Sequence, residues 1–500
     1  MRHAKPAKLI ALDMNATRIQ GVSEGASGIP QLLPLEGAHS ELPLMVCLDG
    51  RRPQIGSAGL AFARHAPHLV CASFLASLGS QRTWSAGRHR LDSAQALALV
   101  FDHLQTTCAG ARGIVFVLPP YLADTQRQIV TKLAEKAKWK LFGTMAAPLA
   151  AALAAQTQQQ PWSGLTYVLD ADDHALSWSV VSCEDGQGRL VAVQTQPRLS
   201  AVAWKERLLD AVAERCVRQS RRDPRDSAPA EQMLWDQLDA AVDQCAAGQM
   251  ADLVIQTAHW CQNLVWRPDD PAIACAGLAS QTLNELRVME ETHGAPAHVL
   301  VTASASRLPG LLPLLKDALW QPTPEEQAEV DPNSDFGEGL IQDEPSSPAP
   351  LTVLAGDALG LAAYGLAERM AREELQCGPV EIVPIPAVES ADAGPVRLHF
   401  EGHDYPVGEA FTLGRHPSCD LVFESEHYPT VSARHCEIVL DRRMYILHDH
   451  SRNGTLVNER PIIDEMPLQP GDWIRLGPGG PILHFLGQAA EHWRRAASGG

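Results

Sequence analysis

The chain has 500 residues, 45% of them hydrophobic, and a formal net charge of −18. Length alone suggests roughly two to four domains, and the apolar share excludes a chain that is disordered throughout. The acidic balance disfavours general binding to nucleic acid or anionic membranes, while leaving room for a local basic pocket.

The start, Met1 to Lys8, is basic and runs directly into Leu9-Ile10-Ala11-Leu12, an apolar run too short for a signal-peptide core. The Ala-rich run from Met145 to Ala155 is too short to span a bilayer. The 11 cysteines are scattered singly from Cys47 to Cys436, with no CxxC pair and no zinc-like spacing. A reducing cytoplasm is the expected location, with no membrane partner and no metal site.

Buried strands are predicted at Leu9–Leu12, Gly113–Leu118, Leu165–Leu169 and His298–Val301. Helical periodicity covers Ser93–Thr107, Asp124–Lys138, Trp204–Arg218, Ala230–Cys245 and Ala272–Glu291. Strands alternating with helices indicate an α/β body over residues 1–372. Arg218, Arg221, Arg222 and Arg225 are interleaved with Asp223 and Asp226 and read as a solvated helix end. From about 321 to 350 the composition changes. No Lys or Arg occurs between Lys316 and Arg369, whereas acids and prolines accumulate, so a disordered acidic insert is expected. Residues 373–394 read as a proline-rich linker, with a short β-like run at Val380–Val383. Residues 395–488 carry short alternating runs at Val396–Phe400, Cys436–Leu440 and Trp473–Leu476, separated by turn signals, which argue for an all-β sandwich. Residues 489–500 read as a flexible tail.

Chemistry concentrates in the β-rich segment: Gly414-Arg415, Ser432-Ala433-Arg434-His435, Asn453-Gly454-Thr455 and Asn458. Arg415 offers a permanently charged planar fork of donors, suited to a phosphate. Ser432 offers a hydroxyl and a candidate backbone N–H. Asn453 has both a donor and an acceptor, which suits a peptide main chain, and Gly454 permits a tight turn. His448-Asp449-His450 could suggest a metal, but a turn beside the peptide loop is the preferred reading.

This set of residues resembles the core motif of a forkhead-associated (FHA) domain over about Pro395 to Gly487. The resemblance implies a β-sandwich that binds phosphothreonine peptides. It places phosphate contacts on Arg415 and Ser432, a peptide contact on Asn453, and supporting cations on Arg434 and Arg452. Gly414, His435, Gly454, Thr455 and Asn458 fall on structural positions, with His435 propping the Ser432 loop from behind. Ala433 departs from the Asn or Arg that family members often carry there, which puts affinity and peptide preference in question.

The α/β body resembles the actin-like ATPase domain of DnaK-type heat-shock chaperones. Leu9–Thr17 stands at the first phosphate loop and Leu118–Gln128 at the following strand and helix. Ala147–Leu153 matches a connecting helix, Val168–Asp173 the second phosphate loop, Val299–Pro309 the adenosine loop and Gly356–Ala363 the closing helix. The implied fold is a pair of ribonuclease-H-like subdomains, and the implied ligands are ATP and magnesium. Asp13, Thr17 and Asp170 remain as vestiges of that site. However, Asn15 and Ala16 replace a Gly and a Thr, and Asp172-Asp173-His174-Ala175 replaces a Gly-rich loop. A phosphate loop needs glycine so that backbone N–H groups can approach the oxygens. Ser177 stands for an Asp, Ala147 for the catalytic Glu, and Leu75 lies near the catalytic Lys position. The expectation is therefore a body without turnover, no catalytic residue, and no firm cofactor. On this reading the chain is a phosphothreonine-binding adaptor. The alternative is a working chaperone-like ATPase that recruits phosphorylated clients. Thr323-Pro324-Glu325-Glu326 adds a candidate internal ligand, since a phosphorylated Thr323 followed by an acid would suit the same pocket.

Overall fold

Two large sheets that share the order of five strands form the centre of the N-terminal unit. In the first, Leu9–Met14 is central. It pairs antiparallel with Arg18–Glu24, which pairs with Pro30–Leu33. On its other side it pairs parallel with Gly113–Leu118, which pairs parallel with Leu141–Ala146. In the second sheet, Gly164–Ala171 takes the central place. Antiparallel Leu176–Glu184 and Gln187–Gln196 lie on one side, and parallel His298–Val301 and Leu351–Val353 on the other. Central strands covered on both faces read as near-continuous apolar runs, and Leu9–Met14 is buried at every position, Asp13 included.

The protein is described from a computed structural model, covering residues 8–25, 28–158, 161–257, 259–319, 349–386, 397–400, 403–408, 410–425, 427–441, 444–458, 460–462, 465–468 and 472–486. It divides into two units, Met1–Val388 and Glu389–Gly500. The expected acidic insert (except Ala349 and Pro350), Thr323, the tail and the 387–394 part of the expected linker lie outside the described residues.

Each sheet of the N-terminal unit carries its own helices and core, forming a lobe. Phe101 stacks on Trp139 at 4.7 Å within the first core. The second is built around Tyr167, Trp178 and Trp204. The helix Ser93–Cys108 opens on a capping box between Asp92 and Gln95, and Ala201–Ser220 is capped by the Ser200 hydroxyl. A third core joins the two sheets at their base through the helices Ala147–Gln158 and Ala358–Ala371. Alanine and glycine on these helices allow close approach; a Cβ at Gly360 would lie 2.8 Å from the Val22 side chain.

Part of the expected linker proves to be sheet. Gly378–Val380 pairs parallel with Leu141–Ala146, and after the single residue Glu381, Ile382–Pro384 pairs antiparallel with Gln187–Gln196. The physical reason is burial: Val383 is fully buried in the shared core, which outweighs the neighbouring prolines.

The second unit is a two-sheet β structure. One sheet runs in the order His403–Pro406, Arg397–Phe400, Ile482–Leu486, Trp473–Leu476, Thr455–Val457, Arg460–Pro461. The other runs Leu421–Val422, Ala410–Gly414, Cys436–Asp441, Met444–Asp449, Glu465–Leu468. Alternate residues Leu398, Leu413, Ile438, Leu447, Ile474 and Phe485 fill the space between them. His448 and Asp449 end a strand rather than forming a turn.

Candidate functional site

Three loops meet at one rim of the sandwich, and backbone hydrogen bonds fix them together. The N–H of Arg415 donates to the Ser432 carbonyl at 3.0 Å, and that of His416 to the Ala433 carbonyl at 2.8 Å. Gly414 allows this approach, because a Cβ there would lie 2.3 Å from the Ala433 oxygen. The Arg415 side chain is exposed, with Nη1 donating to the Ser425 hydroxyl at 2.7 Å.

Ser432 is held from beneath. Its N–H donates to Nδ1 of the fully buried His435 at 3.0 Å. This corrects the expectation that the Ser432 N–H is available to a ligand. The Ser432 Oγ accepts from the Arg452 N–H at 3.1 Å, and its own proton has no acceptor among the described residues. Burial keeps the His435 pKa below its ordinary value, against the opposing influence of Asp449 and the Gly454 carbonyl. A neutral imidazole with Nδ1 as acceptor suits this role.

The third loop is anchored by Asp449. Its carboxylate accepts from the Ser451 N–H at 2.9 Å, from the Thr455 N–H at 3.1 Å and from the Thr455 hydroxyl at 2.8 Å. Despite burial, these donors hold its pKa below the usual carboxylate range. Gly454 takes φ +79°, the left-handed region expected of the turn. Asn453 donates from Nδ2 to the Thr430 carbonyl at 2.7 Å, leaving Oδ1 without a partner among the described residues. Asn458 closes the base, bonding the Asp472 carboxylate at 2.8 Å and the Trp473 N–H at 3.0 Å. Arg434 and Arg452 are exposed on the same loops. A rim of linked loops that carries the Arg415, Arg434 and Arg452 guanidinium groups and the Ser432 hydroxyl can hold a dianion by charge-assisted hydrogen bonds.

Residues 411–477 match the FHA domain family model. This segment is an FHA domain. FHA domains bind phosphothreonine-containing proteins. Over 70 residues the chain is 40% identical to the E3 ubiquitin-protein ligase CHFR of Homo sapiens, covering 13% of this chain and 10% of that protein. Over 82 residues it is 37% identical to the protein of the same name from Pongo abelii, covering 15% and 14%. The chain thus spans only about a tenth to a seventh of these relatives' length.

Asp13, Thr17 and Asp170 also converge, at the cleft between the two lobes of the N-terminal unit, but their surroundings do not fit ATP and magnesium. The Asn15 side chain accepts from the N–H groups of Thr17 and Arg18, both at 2.9 Å. The Ala16 N–H donates across the cleft to Asp172 Oδ2 at 2.9 Å. The amides of the first loop are therefore consumed internally. Asp172 thereby occupies a loop donor that a phosphate would need. Tyr121 adds its hydroxyl to Oδ2 at 2.5 Å, and the His174 and Ala175 N–H groups donate to Oδ1 at 2.9 Å each.

Asp13 is ion-paired with Arg18 at 3.0 Å, and Arg18 also reaches Glu41 at 3.0 Å. A guanidinium thus stands where a cation would neutralise the acid. Asp170 accepts the Thr302 hydroxyl at 2.7 Å, and burial beside Asp172 and Asp13 pushes its pKa up to about 6. Thr17 Oγ1 accepts from the Asp173 N–H at 3.0 Å. The cavity left among Asp13, Asn15, Arg18, Asp170 and Thr302 is about 20 Å³, room for about one water, whereas ligand pockets measure about 300–1,000 Å³. The role of Arg18 was missed in the sequence. Its signal was the hairpin that folds Arg18–Glu24 back onto Leu9–Met14.

Proposed function

We propose that the chain is an adaptor that docks phosphothreonine made by a Ser/Thr kinase, through Arg415, Ser432 and Asn453. Arg434 and Arg452 extend the cationic rim. The observation carrying this reading is an exposed Arg415 fork on a loop tied by its backbone to Ser432, whose hydroxyl proton has no acceptor among the described residues. Titration of the full chain with matched phosphothreonine, phosphoserine and unphosphorylated peptides tests it. Binding confined to the phosphothreonine set supports the reading, and no binding to any set defeats it.

The N-terminal body is proposed to be a scaffold of actin-like ATPase ancestry without turnover. The shared strand order of its two sheets supports the ancestry. Loop amides consumed by Asn15 and Asp172 support the loss of turnover and disfavour the alternative of a working chaperone ATPase. Phosphorylated Thr323 is a candidate internal occupant of the FHA pocket. Peptide affinity measured with and without phosphate on Thr323 decides that point, an unchanged value ruling it out.

A further inference from the structure

The cleft of the N-terminal unit is closed at its mouth by side chains unrelated to a nucleotide site. Gln232, on the helix Ala228–Ala246 of the second lobe, is only 7% exposed. Its Oε1 accepts from the N–H groups of Arg64 at 2.6 Å and His65 at 3.1 Å, both in the first lobe. Its Nε2 donates to the Leu60 carbonyl at 2.9 Å and to Asp236 at 2.7 Å. A buried amide with both donors and both lone pairs engaged is a costly contact to break. The Arg64 guanidinium lies over the Trp235 ring at 3.9 Å and pairs with Glu206 at 3.0 Å. Lys205 covers the same ring at 4.6 Å and pairs with Asp239 at 2.7 Å.

Two further ties join the lobes. At the floor, the Asp172 carboxylate collects the Ala16 N–H and the Tyr121 hydroxyl from the opposite lobe. At the base, residues 378–384 pair with the edge of the first sheet and, one residue later, with the edge of the second.

Extending the scaffold reading, on which this rests, we infer that the N-terminal unit is self-liganded. Asp172 serves as a built-in anion in the cleft, and Gln232 with Arg64 and Trp235 clamps the mouth, holding the lobes in one closed state without any nucleotide. The body then presents one fixed surface to partners instead of cycling between open and closed forms.

Hydrogen–deuterium exchange on the full chain tests this. The Ala16, Arg64 and His65 amides are expected to be protected in the wild type and unchanged by Mg-ATP. Gln232→Ala should speed exchange at Arg64 and His65 by about tenfold or more, while the 436–441 strand of the FHA domain stays protected and reports that the chain is folded. Rapid exchange of Arg64 and His65 in the wild type, or their slowing when Mg-ATP is added, would overturn the inference. The wild-type measurement suffices if Gln232→Ala does not fold. The scaffold reading fails separately: ATP turnover with protected clamp amides removes that reading and leaves the closed state standing. Fast clamp exchange without turnover does the reverse.

Discussion

The Ser432 backbone N–H donates to Nδ1 of His435 at 3.0 Å, beneath a rim where Arg415 remains exposed. The buried imidazole is a positioning group and does not reach the ligand. His435→Ala should orphan the Ser432 N–H, lowering the stability of the FHA domain by about 1–3 kcal/mol and weakening phosphopeptide binding through a loosened Ser432 loop. Calorimetric melting and peptide titration check this together. A variant with reduced stability but full affinity would show that the loop needs no prop.

Arg415→Ala should behave differently. The side chain is exposed, and its hydrogen bond among the described residues is to the Ser425 hydroxyl, so the melting temperature should barely move. Loss of a charge-assisted contact to the phosphate should cost about 2–5 kcal/mol of binding. Arg415→Lys should recover only part of this, since an ammonium cannot reproduce the planar fork. Isothermal titration with one phosphothreonine peptide measures all three proteins, and equal affinities would remove Arg415 from the site.

How much of this was legible beforehand depended on the kind of signal. Arg415, Ser432, Asn453 and Gly454 stood out in the sequence through charge, hydroxyl, amide and turn chemistry, whereas Gly414 and His435 stood out only through the resemblance to FHA domains. The buried strands and the long helices were readable from periodicity, which needs no partner. What stayed hidden required knowing which distant groups meet. Asp172 read only as a replacement within a Gly-rich loop, and its contact with Ala16, 156 positions away, shows it as the occupant. Within 378–384 the sequence showed a β-like run at Val380–Val383 inside an expected linker, but the two sheet edges it joins stayed hidden, because they are set by distant partners.

Acidification should weaken the FHA domain. His435 is neutral in the folded state with its pKa held below 6.5 by burial, so the unfolded chain takes up the proton first. Its contribution to stability is complete above pH 6.5 and is lost as pH falls below that value. Asp420 and Asp449, both held below 3.8 largely by hydrogen bonds from Thr412, Ser451 and Thr455, add a second loss on further acidification below that value. Phosphopeptide affinity should drop over the upper window as well, because the phosphate itself gains a proton near pH 6. Melting followed from pH 7.5 to 4.5, with His435→Gln as reference, should show a shallower slope in the variant; equal slopes would exclude His435 as the source.

The cleft carboxylate gives the opposite sign. Burial raises Asp170 from 3.8 to about 6, so the folded state favours its protonated form. The group therefore supports folding at low pH, and that support is lost as pH rises through 6. Asp170→Asn keeps an acceptor for the Thr302 hydroxyl and removes the charge. Its stabilising effect should grow between pH 4 and 6 and level off above, by an amount on the order of 2 kcal/mol. Denaturant unfolding of variant and parent at pH 4.5 and 7.5 measures the difference, and a gain independent of pH would show that Asp170 is not charged at the cost described.

Nucleotide should leave the N-terminal unit unchanged. A ligand present at a hundred times its dissociation constant stabilises the fold that binds it by about 2.7 kcal/mol, a readily visible shift in melting temperature. With the Ala16, Thr17 and Arg18 amides taken by Asp172 and Asn15, Arg18 on Asp13, and a cavity of about 20 Å³, millimolar Mg-ATP is expected to find the loop amides engaged and little space. The expected result is an unaltered melting curve and no phosphate release. A rise of several degrees would mean that Asp172 yields its place to a phosphate, and the cleft would have to be regarded as a working nucleotide site.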